Sequence, residues 1–199
     1  MTTTALAHHT STGQDTRKIA FWTFIGSECM LFGTLIATYL SYEGKSVTGP
    51  TPQEILNIPV TSVSTFVLLM SSLAMVLALT AVVRGDKLQT RLWLTATVGF
   101  GTMFLAFQYY EFNSFVAEGL TISTNLFGST FFVLTGCHGL HVLIGVIWLT
   151  TLLILSFRDQ LGPEKAMNVE IAGLYWHFVD VVWIVIFTVV YLIQRGPVA

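Results

Sequence analysis

The stretch GLYWHFVDVVWIVIFTVV, residues 173–190, decides the fold. It is almost continuously apolar, and a helix that crosses the hydrocarbon core of a bilayer needs about 20 such residues. His177 and Asp180 interrupt it three residues apart, so a helix would present both on one face. Ionisable side chains within a membrane span face a protein interior, a partner or a water-filled cavity. The stretch therefore predicts a transmembrane helix packed within a bundle.

The rest of the chain has the same character. It is 53% hydrophobic and 10% charged over 199 residues, whereas a soluble domain carries about 25% charged residues. The apolar segments run without alternating, which favours helices over a β-barrel. We expect an all-α membrane protein, a single five-transmembrane-helix bundle over residues 18–199 without internal repeats. The predicted spans are residues 19–42, 63–83, 92–111, 125–157 and 172–194.

The distribution of Lys and Arg predicts the orientation. One side of the membrane would hold Arg17, Lys18, Arg84, Lys87, Arg91, Arg158 and Lys165, and the other only Lys45 and Arg195. Positive residues collect on the cytoplasmic side, so we expect a cytoplasmic N-terminus and an outside C-terminus. The net charge of −2 gives no indication of nucleic-acid binding.

The N-terminal residues 1–17 are expected to form a disordered cytoplasmic tail. They are rich in Thr and lack the apolar core of a signal peptide. His8 and His9 lie in this tail, where two adjacent His are expected to be inert. Cys29 and Cys137 fall within spans one and four and fit neither a disulfide framework nor a CxxC metal site. We expect both to be small buried apolar residues.

The loop between spans one and two contains TPQE at residues 51–54. Thr as N-cap, Pro at the first helical position and a following Glu form a capping-box arrangement. It predicts a short surface helix at residues 52–57, ended by Pro59.

Glu28 is the ionisable residue of span one. It lies about 13 Å into a helix that begins at residue 19, near the middle of the membrane. An ionised acid there costs about 3 kcal/mol, so we expect Glu28 to be protonated or hydrogen-bonded to a neighbouring helix. Two interpretations remain open, a functional protonatable carboxyl and a polar pin between helices.

His138 and His141 lie in span four, within GCHGLHVLIG, and their spacing places them on one face. A metal site needs further ligands, which only His177 and Asp180 would supply, so interhelical hydrogen bonds are favoured. Gly136 and Gly139 flank the pair and would let another backbone come close.

Glu170 lies seven residues before His177, on a similar helix face. We therefore predict a polar network toward the bundle interior that contains His138, His141, Glu170, His177 and Asp180, with no metal.

Four motifs together carry a family resemblance. They are GSTFFVLTGCHGLHVLIG at residues 128–145, YWHFVDVVW at 175–183, FWTFIGSECMLF around Glu28 and QYYEF at 108–112. Over residues 18–194 the chain resembles subunit III of haem–copper terminal oxidases, in its shorter five-helix bacterial form. The resemblance implies a location in the bacterial cytoplasmic (inner) membrane, as part of aerobic respiratory electron transport.

The resemblance also implies a role without redox chemistry in this chain. In the family, haems and copper belong to subunits I and II, while subunit III packs on subunit I, binds phospholipid and sustains proton uptake. A small subunit IV and a respiratory supercomplex are further candidate partners. The carboxyl that matches Glu28 reacts with carbodiimide in family members. Candidate contacts to lipid headgroups near the cytoplasmic interface are Arg17, Arg84, Arg91 and Arg158.

The sequence alone leaves the electron donor and the kind of complex open. The electron donor is either cytochrome c or a quinol, and Glu rather than Asp at position 28 slightly favours cytochrome c. The complex is either an oxygen reductase or, as the alternative, a nitric oxide reductase with this chain as an accessory subunit. A more remote alternative is a small transporter that couples to protons through Glu28, His177 and Asp180.

Overall fold

The computed structural model describes residues 15–46 and 49–193. This part of the chain contains six α-helices and no strand, so the all-α prediction is confirmed. The helices are α1 (Thr16–Tyr42), α2 (Pro52–Ile55), α3 (Ile58–Arg84), α4 (Lys87–Ala117), α5 (Leu126–Phe157) and α6 (Ala166–Phe187). A 3₁₀ turn, Pro163–Lys165, precedes α6, and a π-helix, Thr188–Leu192, follows it.

Four long helices form a ring and a fifth lies outside it. Helix α3 packs on α4, α4 on α5, α5 on α6 and α6 on α3, while α1 packs on α5 and α6. The short α3–α4 and α5–α6 connections lie at the same end of the bundle. We call it the basic end because it carries Arg84, Lys87, Arg91 and Arg158. Helix α1 begins at the same end, where Lys18 pairs with Glu170.

Four helical segments are long and apolar enough to cross a membrane. They are Thr16–Tyr42, Ile58–Arg84, Leu126–Phe157 and Pro163–Leu192. Helix α4 is 31 residues long but does not meet this measure, because charged residues open it and Thr and Gly break its apolar stretch at residues 95–102. The predicted crossing by residues 92–111 therefore stays a prediction, as does the orientation of the termini.

Two local predictions need correction at the ends of helices. Helix α1 begins at Thr16 because the Asp15 carboxylate accepts a hydrogen bond from Arg17 N at 2.9 Å, so residues 16 and 17 are helical rather than part of a tail. The rest of the predicted tail, with His8 and His9, lies outside the described residues.

The short helix α2 starts with the predicted capping box, and Glu54 Oε2 accepts from Thr51 N at 2.9 Å. It ends at Ile55 rather than at residue 57. Pro59 does not end it, because this residue lies in the first turn of α3, where a missing N–H costs nothing.

Helix α6 is joined to α3 by three side-chain hydrogen bonds along the seam between them. Trp176 Nε1 donates to Ser71 Oγ at 2.9 Å, and Trp183 Nε1 donates to Thr65 Oγ1 at 2.9 Å. Between these indoles, His177 Nδ1 lies 2.6 Å from Ser72 Oγ. Because lipid offers no hydrogen-bond partners, each polar group is satisfied across the seam rather than by solvent.

The Trp176 ring fills the centre of the helix ring and is fully buried. Two glycines on the neighbouring helices make room for it. A Cβ atom added to Gly101 of α4 would lie 2.6 Å from Trp176 Cη2, and one added to Gly145 of α5 would lie 2.7 Å from its Cζ3. Small residues at these points let the helices approach an unusually large side chain.

Gly145→Ala should therefore destabilise the bundle by about 1–3 kcal/mol, because the added methyl overlaps a rigid buried indole. Gly136→Ala is the matched control on the same helix, since no atom lies within 4 Å of its added Cβ. The control should be neutral or stabilising by up to about 1 kcal/mol. Unfolding free energies in detergent micelles measure both, and equal effects of the two substitutions would refute the packing argument.

An ionic cluster holds the basic end together. Asp159 Oδ1 accepts from Lys87 Nζ at 2.8 Å and from Arg91 Nη2 at 3.0 Å, and Arg91 also bonds Ser156 O. The Lys87 ammonium, with Arg91, lowers the pKa of the Asp159 carboxyl below its usual range. Asp159 adopts a positive φ of 56°, a conformation that Asp and Asn tolerate best among residues with side chains.

Asp159→Asn should lower the thermal midpoint at pH 7 by at most about 3 °C, because the ion pairs are exposed and screened. The native pKa is depressed, so the carboxylate stabilises the fold above its unfolded pKa of about 3.9, and this contribution is lost as the pH falls through the lowered native value. The difference between variant and parent should therefore be constant at neutral pH and decrease as the pH falls below about 4. Thermal unfolding from pH 7 to pH 3 tests this, and a difference that is as large at pH 3 as at pH 7 would contradict it.

Candidate functional site: a carboxyl–imidazole pair between α1 and α5

Glu28 of α1 meets His141 of α5 at the edge of the bundle. His141 Nε2 lies 3.2 Å from Glu28 Oε2, and the side chains of His141 and Glu28 are 13% and 15% exposed respectively. The other ring nitrogen, His141 Nδ1, lies 2.8 Å from the carbonyl oxygen of Cys137. Glu28 is thus hydrogen-bonded to a neighbouring helix, one of the two states that its depth in the membrane predicts.

The contacts of His141 restrict the hydrogen-bond roles of its two ring nitrogens. The Cys137 carbonyl can only accept, so Nδ1 must carry a hydrogen. Nε2 then either donates as part of an imidazolium to a Glu28 carboxylate, or accepts from a protonated Glu28 carboxyl. In both arrangements one proton lies between His141 Nε2 and the Glu28 carboxyl group.

The pair opens into a groove of about 450 Å³ with mostly aromatic walls. Tyr175 Oη donates to His141 O at 3.0 Å and so fixes the backbone next to the imidazole. The ring of Phe32 meets His141 edge-on, with ring centres 5.0 Å apart. The remaining walls are Phe21, Phe24, Ile144 and Trp148.

Polar contacts attach α1 to the bundle at three heights. Lys18 Nζ lies 2.6 Å from Glu170 Oε1 at the basic end, Glu28 meets His141 in the middle, and Ser46 Oγ accepts from Phe127 N at 3.0 Å beyond the other end. Only 11% of the apolar stretch of α1 is buried, against 33–50% for the other three candidate spans. Polar pairs therefore contribute a larger share of the attachment for α1 than for its neighbours.

The structure does not join the five predicted network residues into one network. Glu170 pairs with Lys18 at the basic end, about 10 Å along the helix from His177. His138 and His141 point to different neighbours, because a step of three residues leaves them about 60° apart around the helix.

His138 is fully buried in an aromatic cage. Its ring stacks on Trp183 with centres 4.9 Å apart and meets Phe104 and Phe32 edge-on. Within residues 15–46 and 49–193, neither of its ring nitrogens has a hydrogen-bond partner. It therefore contributes packing rather than the predicted interhelical hydrogen bond.

Asp180 is buried beside the α3–α6 seam. Both carboxylate oxygens are without a hydrogen-bond partner in the part of the chain that the structure describes. The Ser72 hydroxyl lies close to Asp180, but its hydrogen bond goes to His177. No three His, Cys, Asp or Glu side chains among the described residues are grouped as metal ligands would be.

The two glycines beside His138 are placed differently from the prediction. A Cβ on Gly139 would lie 2.5 Å from Gln108 Oε1, so the close neighbour is a side chain rather than a backbone, while Gly136 faces open space.

Cys137 is partly exposed and Cys29 is exposed, so the prediction that both are buried was wrong. Cys29 lies on the outward side of α1, a helix that the sequence alone could not place at the periphery.

Glu111 is a buried carboxyl that the sequence analysis did not single out. Thr61 Oγ1 of α3 lies 2.5 Å from Glu111 Oε1, and the Glu111 side chain is 6% exposed. One turn away, Gln108 Nε2 donates to Thr135 O at 2.7 Å. Gln108 and Glu111 lie three residues apart in QYYE and both face the core, whereas Tyr109 and Tyr110 between them are exposed. This spacing is the feature of the sequence that indicates a buried Glu111.

The four candidate arginines fall into two groups. Arg17 pairs with Asp15, and Arg91 with Asp159 and Ser156 O. Arg84 and Arg158 are exposed and make no ion pair with any described residue.

The helix ring and the partly buried Glu28–His141 pair together define a multi-pass helical membrane protein with a carboxyl–imidazole contact between its peripheral helix and its core. The family model described as cytochrome c oxidase subunit III matches residues 1–195. The chain belongs to this family, which confirms the resemblance read from its motifs.

Curated relatives include both kinds of oxidase. The chain is 43% identical over 174 residues to cytochrome c oxidase subunit 3 of Bacillus sp. (strain PS3), which covers 87% of this chain and 84% of that one. It is 40% identical over 178 residues to quinol oxidase subunit 3 of Bacillus subtilis (strain 168), covering 89% and 87%. Cytochrome bo(3) ubiquinol oxidase subunit 3 of Pseudomonas putida is 38% identical over 175 residues, covering 88% and 84%.

A double-mutant cycle measures how strongly the pair attaches α1. Glu28→Ala and His141→Ala should show a coupling energy of about 1–3 kcal/mol in the unfolding free energy, because each loss leaves a buried partner unsatisfied. Thr34→Ala is the control on α1, since its hydroxyl bonds only its own helix at Leu31 O among the described residues. Thr34→Ala combined with His141→Ala should be additive within about 0.5 kcal/mol. Additivity of the Glu28 and His141 substitutions would show that the pair does not hold α1.

Proposed function

We propose that this chain is the non-redox subunit III of a proton-pumping haem–copper oxygen reductase in the bacterial cytoplasmic membrane. In this proposal all five long helices cross the membrane, with the N-terminus in the cytoplasm and the C-terminus outside. The observation that carries the proposal is the Glu28–His141 pair, set between peripheral and core helices in a chain of this family.

The pair supports a role in proton uptake. The hydrogen bond between the two side chains would place a shared proton beside a groove with aromatic walls. A site of this kind can keep a proton ready without being a step on the pumping path. We propose that subunit III sustains turnover by this means and by stabilising subunit I.

The outward face of α1 is the proposed contact with other oxidase subunits. It carries hydroxyl residues spaced by four, seven, four and three positions, which places them on one side of the helix: Thr23, Ser27, Thr34, Thr38 and Ser41. Each hydroxyl bonds a carbonyl of its own helix. Membrane helices pack through such small residues, so subunit I is the proposed main neighbour, with subunit II and a small subunit IV as further ones.

We propose that the haems and copper reside in subunits I and II and that this chain binds phospholipid. Relatives named for cytochrome c and for quinol match with similar identity, so either donor fits the proposal.

Purification of the tagged chain in mild detergent tests the proposal. We expect a haem-containing subunit to co-purify and the complex to consume oxygen. A lone haem-free chain would overturn the assignment, and consumption of nitric oxide instead of oxygen would transfer it to a nitric oxide reductase.

Glu28→Gln in the same complex tests the role of the carboxyl. Gln keeps a hydrogen-bonding group for His141, so assembly and haem spectra should persist, while carbodiimide labelling at this position is lost and proton-linked turnover falls by less than about tenfold. Thr102→Val on α4 is the control, because its exposed hydroxyl bonds Val98 O of its own helix and lies outside the proposed subunit contact, and it should leave turnover unchanged. Loss of the whole complex in Glu28→Gln would show instead that the residue is a structural pin.

A further inference from the structure

A second carboxyl is buried at the end of the bundle opposite the basic end. Glu111 of α4 is 6% exposed, and its Oε1 atom contacts the hydroxyl of Thr61 in the first turns of α3. This site is separate from the Glu28–His141 pair, which lies between α1 and α5. Glu111 forms no ion pair with Lys, Arg or His among the described residues, so no cation there compensates a negative charge on it. A buried carboxyl without such a cation keeps its proton, because the isolated charge is costly to bury.

The contacts of Thr61 lead to the same protonation state. Its Oγ1 atom lies 3.0 Å from the Asn57 carbonyl oxygen, which can only accept, and also contacts Glu111. A hydroxyl has one hydrogen to donate. If that hydrogen goes to Asn57 O, Oγ1 accepts from a protonated Glu111 carboxyl, and both contacts are hydrogen bonds. An ionised Glu111 would take the hydrogen and leave the Asn57 contact without one.

A π-helix turns Tyr191 toward this carboxyl. The segment Thr188–Leu192 closes hydrogen bonds over five residues instead of four, a geometry that often marks functional positions. In a regular α-helix, Tyr191 would lie about 80° around the axis from Trp183. The wider turn reduces that angle, and both side chains are 2% exposed. The Tyr191 hydroxyl lies beside Thr61 and Glu111 as a result.

Tyr39 of α1 connects this cluster to the end of the bundle. The residue is 1% exposed, and its hydroxyl has no hydrogen-bond partner within the described residues 15–46 and 49–193. Tyr39 is an electrostatic neighbour of Tyr191 on one side and of Glu43 on the other. Glu43 lines a cavity of about 30 Å³, which has room for one water molecule. Buried hydroxyls are normally satisfied by protein or by ordered water, so the Tyr39 hydroxyl indicates a water beside it.

We propose that Glu111 is a proton-binding site that exchanges its proton with water at the end opposite the basic end. The route runs from Glu43 to Tyr39, through an ordered water to Tyr191, and on to the Thr61–Glu111 contact. Each hydroxyl accepts a proton on one side as it releases its own on the other, so no charge is left along the route.

Infrared difference spectra of the tagged complex at pH 7 test the bound proton. Glu111→Gln should remove a carboxylic acid C=O band from the parent spectrum, whereas an ordinary Glu with a pKa of about 4.3 is ionised at this pH. Glu118→Gln is the matched control, because Glu118 follows α4 and is exposed. It should remove a carboxylate band instead. Loss of a carboxylate band in Glu111→Gln would overturn the proposal.

Substitutions of Thr61 keep the proposal testable if Glu111→Gln does not assemble. Thr61→Val retains the branched shape but removes the acceptor, so it should shift the carboxylic acid band of Glu111. Thr61→Ser retains the hydroxyl and should leave the band at its parent position. A band that stays in place in Thr61→Val would contradict the hydrogen bond on which the proton assignment rests.

Transfer of the same complex into deuterated water tests the route. The Glu111 band should move as deuterium replaces the proton, and Tyr39→Phe should slow this change at least about tenfold, because the route loses one hydrogen-bonding hydroxyl. Tyr110→Phe is the control, since Tyr110 lies next to Glu111 in the chain but is 67% exposed. It should leave the exchange rate unchanged. Equal rates in the parent and Tyr39→Phe would overturn the route.

The inference goes beyond the proposed function and can fail separately from it. A chain that purifies without haem contradicts the oxidase assignment, but its Glu111 band can still be scored. An intact oxidase in which Glu111→Gln removes no carboxylic acid band contradicts only the proton site.

Discussion

The indole of Trp176 is the contact on which the arrangement of the core depends. Its N–H bonds Ser71 of α3, and its ring occupies the space that Gly101 and Gly145 leave on α4 and α5. One side chain of α6 thus touches the other three helices of the ring. In a bilayer there is no hydrophobic force between helices, so close packing and satisfied polar groups determine which faces meet. The Trp183–Thr65 bond and the His177–Ser72 contact keep the same two faces together along the seam.

Helix α1 follows a different principle from the ring. It is attached by an ion pair, by the Glu28–His141 pair and by a hydroxyl contact, and most of its apolar surface stays uncovered. A helix held in this way presents a surface to other subunits while keeping one protonatable group against the core. The groove beside that group leaves the pair partly exposed at the edge of the bundle. The family relationship gives this arrangement its proposed meaning, a subunit that supports a neighbouring redox subunit.

The sequence predicted helices well, because continuous apolar length and capping residues are local properties. It predicted the start of α2 at Pro52 and a hydrogen bond from Glu28 to a neighbouring helix as one of two states, but not that His141 is the partner of Glu28. Pairing depends on which helices are neighbours and on how far each is rotated, and neither follows from spacing within one helix. For the same reason His138 was expected in a network yet lies in an aromatic cage, Cys29 was expected inside yet is exposed, and the buried position of Glu111 was not predicted.

The long sequence separation between the members of the central pair has a consequence for how the protein is made. Glu28 is synthesised 113 residues before His141, an interval of roughly ten seconds at ordinary rates of translation. During that time α1 is already in the membrane, and its acidic side chain has no partner from α5. The acidic side chain of α1 is thus satisfied only once α5 has been made. Membrane insertion must therefore accept an acidic side chain without its partner, either through the insertion machinery or through transient protonation of the acid.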